Sequence, residues 1–400
     1  MAELAGVLAP FSPSRFRASM ARWWSKLGER FDDLGDRAGL DPGLIGFAVR
    51  FPLTRPIARR RAGAVFDLCA GFVYSQVLAA CVRLDLFTHL RRGPRSLVDL
   101  ATTLDLPEAG ARRLLEAATA LRLAKRAGRE RYRLGALGRA VLLDPGIGAM
   151  VAHHGLLYRD LADPVALLRG DRGQRALGGF WSYSETKDSE GQGREHVLGY
   201  THLMSASQAM VSREVMQAYA FGRHRRMVDV AGGDGTFLEA VLGSARGLYA
   251  TLFDLPAVAA EAETRFLHAG LESRARAVGG DFRHDALPAG ADLISLIRVL
   301  HDHDDATVAA LLAAVHRALE PGGTLLVAEP LAETAGAERV GGAYFGFYLM
   351  AMGQGRARSV EELTQMLVSA GFADVARCPT ALPIVTSVLT ARKPENTPRV

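Results

Sequence analysis

The sequence predicts an α/β protein in which a doubly wound parallel sheet follows an all-α region containing a winged helix. Three observations lead there. From residue 226 onward, short apolar runs alternate with helical stretches of about 10–15 residues, the texture of right-handed βαβ units. The first of those runs ends in a glycine-rich loop, Asp229-Val-Ala-Gly-Gly-Asp-Gly235. Upstream, residues 97–142 give short helices parted by a turn at Leu106-Pro107, then a basic hairpin from Lys125 to Leu134.

Length and composition bound the reading. At about 150 residues per domain, 400 residues suggest two or three domains. Apolar residues at 49% and charged residues at 23% exclude a disordered or fibrous chain. Three scattered cysteines, Cys69, Cys81 and Cys378, exclude a disulfide framework and a Cys-rich zinc module, and suit a reducing compartment. The start lacks a basic stretch followed by an apolar run, so no secretory signal is expected. Residues 1–65 hold eleven Lys/Arg against six Asp/Glu, the whole of the net +5. The rest is neutral on balance, which argues against a nucleic-acid-binding body.

In chain order, residues 1–64 form a basic arm. Within it Phe16, Met20, Trp24, Leu27 and Phe31 recur at helical spacing, with Arg15, Arg17, Arg22, Lys26 and Arg30 elsewhere on the turn. A basic amphipathic helix with Trp23-Trp24 at its margin suits an anionic membrane surface, or equally packing on the protein or a second copy. The apolar run Phe66–Val82 contains Asp67 and Gln76 and falls short of the about 20 clean residues a spanning helix needs. A buried core or dimer helix is expected there. Residues 65–145 make the winged-helix domain, which taken alone suggests a DNA-binding regulator. Residues 146–225 form a helical linker with one long helix from Val197 to Tyr219, and residues 226–394 form the α/β domain.

In that last domain, MVDVAG precedes a helix from Thr236 to Ser244, and TLFDL a helix from Ala257 to Ala269. ARAVGGD and DLISLIRVL follow, then a helix from about Asp305 to Leu319, then TLLVAEP. Gly232, Gly233 and Gly235 let the backbone turn sharply and approach a ligand, with free N–H groups at the helix start. Asp254 ends the second strand 22 residues after Gly232, where a ribose-binding acid sits in such units. The acids at 229 and 234 repel a pyrophosphate but attract an ammonium or sulfonium group. S-adenosylmethionine carries both cations and no phosphate. Asp281 and Phe282, after the third strand, offer an acceptor for an adenine amine and a ring to stack on it.

These residues resemble the class I S-adenosylmethionine-dependent methyltransferases, a Rossmann-like fold, of the plant caffeate and hydroxyindole O-methyltransferase type. The matching stretches are VDVAGGDGTF, FDLP at 253–256, GDF at 280–282, LHDHDD at 300–305, LEPGGTLLVAE at 319–329 and RSVEELTQMLVSAGF. The resemblance covers roughly residues 65–392 and implies that the winged helix is a homodimerisation module, with no nucleic-acid partner. It implies that Gly232, Gly233 and Gly235, with Asp229 just before the loop, cradle the methionine end of the cofactor. Asp254 would hold the ribose, Asp281 and Phe282 the adenine, and Ser205 the carboxylate, while Arg298 replaces the usual lysine. His301 falls on the general base and Glu329 on the acid that orients it. Three positions depart from the pattern: Ala231 for a glycine, His303 for a tryptophan, and Ala357 for a second acid, which leaves His301 one carboxylate partner.

The stretches FPLTRPIARRRA, FDLCAGFVYSQVLAACVRLDLF, GGFWSYS and AMGQGRARS are similar to the carotenoid 1-hydroxy O-methyltransferases of purple phototrophs. That implies a tertiary alcohol on hydroxyneurosporene or demethylspheroidene as acceptor, in the cytoplasm, with the enzyme peripheral on the photosynthetic membrane. Met204, Phe345, Tyr348 and Met352, with Met210, Met216, Phe347 and Met350, would line a greasy pocket or simply pack the core. No metal is expected: in His301-Asp302-His303-Asp304-Asp305 a later acid reads as a helix cap. Methylation of another lipophilic pigment or a polyketide is the alternative.

Overall fold

The computed structural model describes residues 50–170, 175–180 and 192–395. The basic helix expected at 15–31 lies outside them, as does most of GGFWSYS. The chain divides after Gln76 into two compact units.

The helix Arg55–Arg83 begins in the first unit, well before the expected domain start at residue 65. Cys81 near its end is buried in the winged-helix core, with Val77, Leu78 and Val82 packed against that core, but the helix's earlier apolar side chains are exposed. Leu68 is 80% exposed and Phe72 68%, with Val65, Phe66 and Val73 also exposed. By length and composition alone the helix is able to cross a membrane. Hydropathy recognised the apolar run but not what covers it.

The second unit opens with the winged helix. Strand β1 (Arg95–Ser96) leads into the helix Leu97–Thr103, where the Ser96 hydroxyl accepts from the Asp99 N–H and satisfies an end group. The helix Glu108–Ala120 follows the Pro107 turn, and β2 (Ala124–Arg126) and β3 (Arg131–Leu134) form the wing, in the order β1-β3-β2. Leu86, Leu97, Leu100, Leu115 and Tyr132, all fully buried, knit these pieces into one core. The helices Pro145–Asp160, Pro164–Leu168, Ala176–Phe180 and Gln192–Ala218 carry the chain onward.

Seven strands follow: β4 (Arg226–Val230), β5 (Tyr249–Asp254), β6 (Ala275–Gly279), β7 (Ala291–Ile297), β8 (Leu319–Glu329), β9 (Ala373–Cys378) and β10 (Ser387–Arg392). Their order is β6-β5-β4-β7-β8-β10-β9, the first five parallel and β10 antiparallel to both neighbours. Helices cover both faces, so β7 reads as a nearly unbroken apolar run. The strand order reverses between β4 and β7, and such a reversal opens a crevice at the carboxyl ends of the strands. Met216 packs against the core beside the sheet. The strands β9 and β10 have no counterpart in the sequence reading, because an antiparallel hairpin breaks the strand-helix rhythm on which that reading relied.

Candidate active site

The loop after β4 is forced into an unusual path. Ala231, Gly233 and Gly235 all take positive φ, at 53°, 63° and 82°. Gly232 is required for a different reason: a Cβ there would lie 2.6 Å from Asp229 Oδ2 and 2.9 Å from Leu252 Cδ1. Asp229 is buried beneath it. One carboxylate oxygen accepts a short bond from the Ser295 hydroxyl, and Oδ2 has no partner. Burial pushes this acid up to about 7, Ser295 opposing and the nearby Asp254 adding to the rise. Asp254 is held by the N–H groups of Gly233 (2.8 Å) and Leu255 (2.7 Å). Burial still lifts it to about 6, with Asp281 adding to the rise.

Asp234 differs from the other loop acid. Its charge is matched by Arg265 at 2.5 Å, and Oδ1 accepts from the Thr236 hydroxyl at 2.7 Å. The attraction for a cation that the sequence ascribed to both acids therefore falls on Asp229.

Of the expected cofactor residues, Ser205, Asp229, Gly232, Gly233, Asp254, Asp281, Phe282 and Arg298 line one cavity at the sheet switch, with Met204 and Met352 in its wall. Gly235 does not line it. Its left-handed φ starts the helix Thr236–Ser244, and a Cβ would strike the Phe266 ring at 2.8 Å. Ser205 joins the loop through Thr236, hydroxyl to hydroxyl at 2.9 Å. The Phe282 and His303 rings meet edge to face at 5.2 Å, so the histidine supplies an aromatic wall where a tryptophan is usual. Asp281 is paired with Arg283 at 2.7 Å and held below the usual carboxylate range, chiefly by that hydrogen bond against the effect of burial. Arg298, at φ 61°, points to the Ser207 hydroxyl (2.8 Å) and the Met204 sulfur (2.9 Å).

Beside this cavity the turn Leu300–Asp302 carries His301, nearly buried. Its Nδ1 lies 2.5 Å from Glu329 Oε2 at the end of β8. Glu329 Oε1 accepts from the N–H groups of Val299 (2.8 Å) and Leu300 (2.7 Å). On the other side, Nε2 is 3.1 Å from Asp302 Oδ1, which is out of line for a hydrogen bond. Burial pulls the His301 pKa down, but the charges of Asp302 and Glu329 outweigh it, and the net shift is upward. Asp302 is itself raised, chiefly by burial. Asp302 thus stands as a second carboxylate beside His301, where Ala357 brings none. Sequence reasoning passed over it, although its place directly after His301 was the available signal.

A six-residue π-turn, Arg339–Tyr344, and the helix Phe345–Met352 pack next to the histidine. The Phe345 ring meets His301 edge-on at 5.5 Å. Tyr348 and Tyr344 lie behind it, bonded to His153 (2.9 Å) and His154 (2.8 Å). Both belong to an apolar cluster with Leu157, Leu349 and Met352. Asp304 caps the helix Asp305–Ala318, accepting from the Thr307 N–H at 2.8 Å.

A family model described as an O-methyltransferase domain matches residues 158–373. The chain belongs to the O-methyltransferase family. A second model, the O-methyltransferase dimerisation domain, matches residues 66–144 of this methyltransferase, which supports a homodimer and replaces the DNA-binding reading of the winged helix. The methyltransferase is 41% identical over 351 residues to demethylspheroidene O-methyltransferase of Cereibacter sphaeroides, spanning 88% of this chain and 92% of that one. It is 42% identical over 347 residues to the enzyme of the same name from Rhodobacter capsulatus, spanning 86% and 85%. Human N-acetylserotonin methyltransferase, solved in complex with S-adenosylmethionine, superposes with a TM-score of 0.70 at 26% identity, covering 84% of this chain and 98% of that one.

S-adenosylmethionine is the methyl donor of this methyltransferase, and the cavity fits it. An unpartnered buried carboxylate oxygen on Asp229 suits a cation, and the space above Gly232 tolerates no Cβ. Bound there, S-adenosylmethionine supplies a methyl group activated by its sulfonium charge.

Proposed function

We propose that this methyltransferase transfers the methyl group to the tertiary 1-hydroxyl of an acyclic carotenoid such as demethylspheroidene or hydroxyneurosporene, with His301 as general base. The identity of 41% over nearly the whole chain to a demethylspheroidene O-methyltransferase carries the choice of acceptor. The apolar residues near the site are compatible with it: Phe345 against His301 and Met352 in the cavity wall offer an isoprenoid apolar surface and no charge. In this reading Asp229 and Gly232 hold the methionine end of the donor, with Gly233 and Ser205. Asp254 holds the ribose, Asp281 and Phe282 the adenine, and Arg298 closes the side toward Met204.

A tertiary alcohol is about as weakly acidic as water, ~15.7, so no free alkoxide forms beforehand. Its proton must leave as the methyl group arrives. With Nδ1–H donated to Glu329, the His301 lone pair lies on Nε2, ready to accept that proton. Glu329 and Asp302 then stabilise the imidazolium. A positioned base contributes roughly 10²–10⁴-fold. Alignment of oxygen, methyl and sulfur within a closed site contributes more, up to about 7–11 kcal/mol.

Incubation of the purified protein with S-adenosylmethionine and demethylspheroidene in detergent, wild type beside His301→Ala, tests the reading by mass spectrometry. A gain of one methyl group by wild type and its loss in the variant are expected. A wild-type protein that binds the donor and leaves the carotenoid untouched overturns the acceptor, and methylation of another hydroxylated pigment or polyketide becomes the reading. The same proposal has the enzyme cytoplasmic and peripheral on a membrane, since a polyene alcohol partitions into lipid. Removal of residues 1–35 is then expected to release it from anionic vesicles, and unchanged binding overturns that part.

A further inference from the structure

Arg358 is the largest of the fully buried side chains among the described residues, 1% exposed. A buried guanidinium is costly unless its donors are matched, and here they are spent on one short stretch of chain. Nη1 donates to the Leu300 carbonyl at 2.6 Å, and Nη2 to the His303 carbonyl at 2.8 Å. Those two carbonyls flank His301 and Asp302. Nη2 and Nε also reach Asp305 Oδ1, at 2.7 and 3.0 Å, where the next helix begins. The planar fork therefore grips the histidine turn on both sides.

The backbone on either side of Arg358 repeats the arrangement. Gly355 takes φ 83°, and a Cβ on it would lie 2.2 Å from the His301 carbonyl oxygen. The Arg358 carbonyl accepts from the Ala332 N–H at 2.9 Å, three residues past Glu329. Ser359 caps the following helix in a reciprocal box with Glu362. Arg358 is thus tied at once to the turn that carries His301 and to the exit of the strand that carries Glu329.

We propose that Arg358 is a positioning residue for the methyl transfer: it fixes the Leu300–His303 turn so that His301 Nδ1 stays on Glu329 and Nε2 stays aimed at the acceptor. The proposal rests on the reading of His301 as base. It does not follow from the fold alone, since a buried aliphatic residue fills the same space without a charge to satisfy. The rigid fork is what two carbonyls at fixed separation require, and lysine cannot reproduce it. A misplacement of about 1 Å at a reacting group costs roughly 10²-fold.

The test is Arg358→Lys in the full chain, beside His301→Ala, with two readouts on folded protein. One is the downfield imidazole proton of the His301–Glu329 bond in the proton NMR spectrum, identified by its loss in His301→Ala and independent of any acceptor. The other is kcat against KM with S-adenosylmethionine and demethylspheroidene. In Arg358→Lys the resonance is expected to shift or broaden, and kcat to fall about 10–100-fold, with KM for the donor within twofold. Either readout unmoved in a folded variant overturns the proposal. Should Arg358→Lys fail to fold, Arg358→Gln, which removes the buried charge and the two-armed fork while keeping one amide donor, takes the same two readouts with the same criteria. A downfield proton intact in wild type but a full rate in His301→Ala would instead overturn the base, which separates the two failures.

Discussion

Glu329 meets His301 and the two peptide groups before it with a single carboxylate. Oε2 lies 2.5 Å from Nδ1, while Oε1 accepts from the N–H groups of Val299 and Leu300. Every partner is a donor, so the site is built for an acceptor with two oxygens. In Glu329→Gln the amide oxygen must face the two peptide N–H groups, which turns its NH₂ toward His301. That stabilises the tautomer with the proton on Nε2, where a base needs its lone pair. We expect kcat to fall by roughly 10²–10⁴-fold with donor affinity within about twofold. Steady-state kinetics with calorimetric titration of S-adenosylmethionine checks it, and an unchanged kcat removes Glu329 from the mechanism.

The upward shift of His301 sets the sign of the pH profile. Only the neutral imidazole accepts a proton, and a raised pKa means that protonation sets in earlier as pH falls. The rate is therefore expected to drop on the acid side, with a midpoint above the ordinary histidine value of 6.5. Replacing Asp302 with Asn removes a raising charge and is expected to move that midpoint down. A kcat/KM profile from pH 5.5 to 9 for both proteins is the measurement. A flat acid limb would show that no group of this kind limits the reaction.

Donor affinity has its own pH dependence, governed by different groups. Asp229 and Asp254 stand at about 7 and about 6 in the free protein, because burial disfavours their ionised forms. A cationic donor favours the ionised forms. S-adenosylmethionine is therefore expected to bind more weakly as pH falls from 8 to 5.5, with protons released on binding between pH 6 and 7. Calorimetry in two buffers of different ionisation enthalpy reads both effects. Asp229→Asn is expected to weaken the donor about 10-fold and to flatten the upper part of the dependence.

How much of this was legible in the sequence follows from the range of each interaction. The strands β4 to β8 and the loop acids were legible because βαβ repeats and glycine spacing are local signals. The pairing of His301 with Glu329, 28 residues apart, was reached only through family resemblance. Asp302 was missed beside an emphasised histidine, since adjacency does not say that both side chains turn toward one centre. Arg358 was missed because a lone arginine reads as a solvated charge, and only carbonyls 55 and 58 residues away make it a buried one. The run at 66–82 was legible as a core or dimer helix, but hydropathy did not say which residues meet the chain's own core, as Cys81 does, and which stay exposed, as Leu68 and Phe72 do.

Two glycines of the loop separate close approach from conformational freedom. Gly232→Ala places a methyl group 2.6 Å from Asp229 Oδ2 and 2.9 Å from Leu252 Cδ1, both buried in the strands beneath the loop. Gly233→Ala meets nothing within 4 Å, and its cost is the positive φ alone, about 1 kcal/mol. We expect Gly232→Ala to lose donor binding by more than about 10-fold, and Gly233→Ala to lose some thermal stability with a smaller change in affinity. Thermal melts with and without S-adenosylmethionine distinguish them. Equal donor-induced stabilisation in both variants would show that the space above Gly232 is not where the donor sits.

The exposed face of the helix Arg55–Arg83 bears on assembly. Leu68 and Phe72, one helical turn apart, are 80% and 68% exposed, so charges there disturb no core of the chain itself. Surface substitutions of that kind stay within about 0.5 kcal/mol of neutral for the fold. If the face is what the dimerisation domain buries, each side chain is worth about 1.5–3 kcal/mol there. Leu68→Asp with Phe72→Asp is then expected to weaken self-association by at least about a thousandfold, with the melting temperature at high dilution unchanged. Sedimentation velocity reads the dimer giving way to monomer. A double variant that stays dimeric but no longer binds anionic vesicles would assign the face to lipid, and one that does neither would leave the dimer contact to the remainder of residues 66–144.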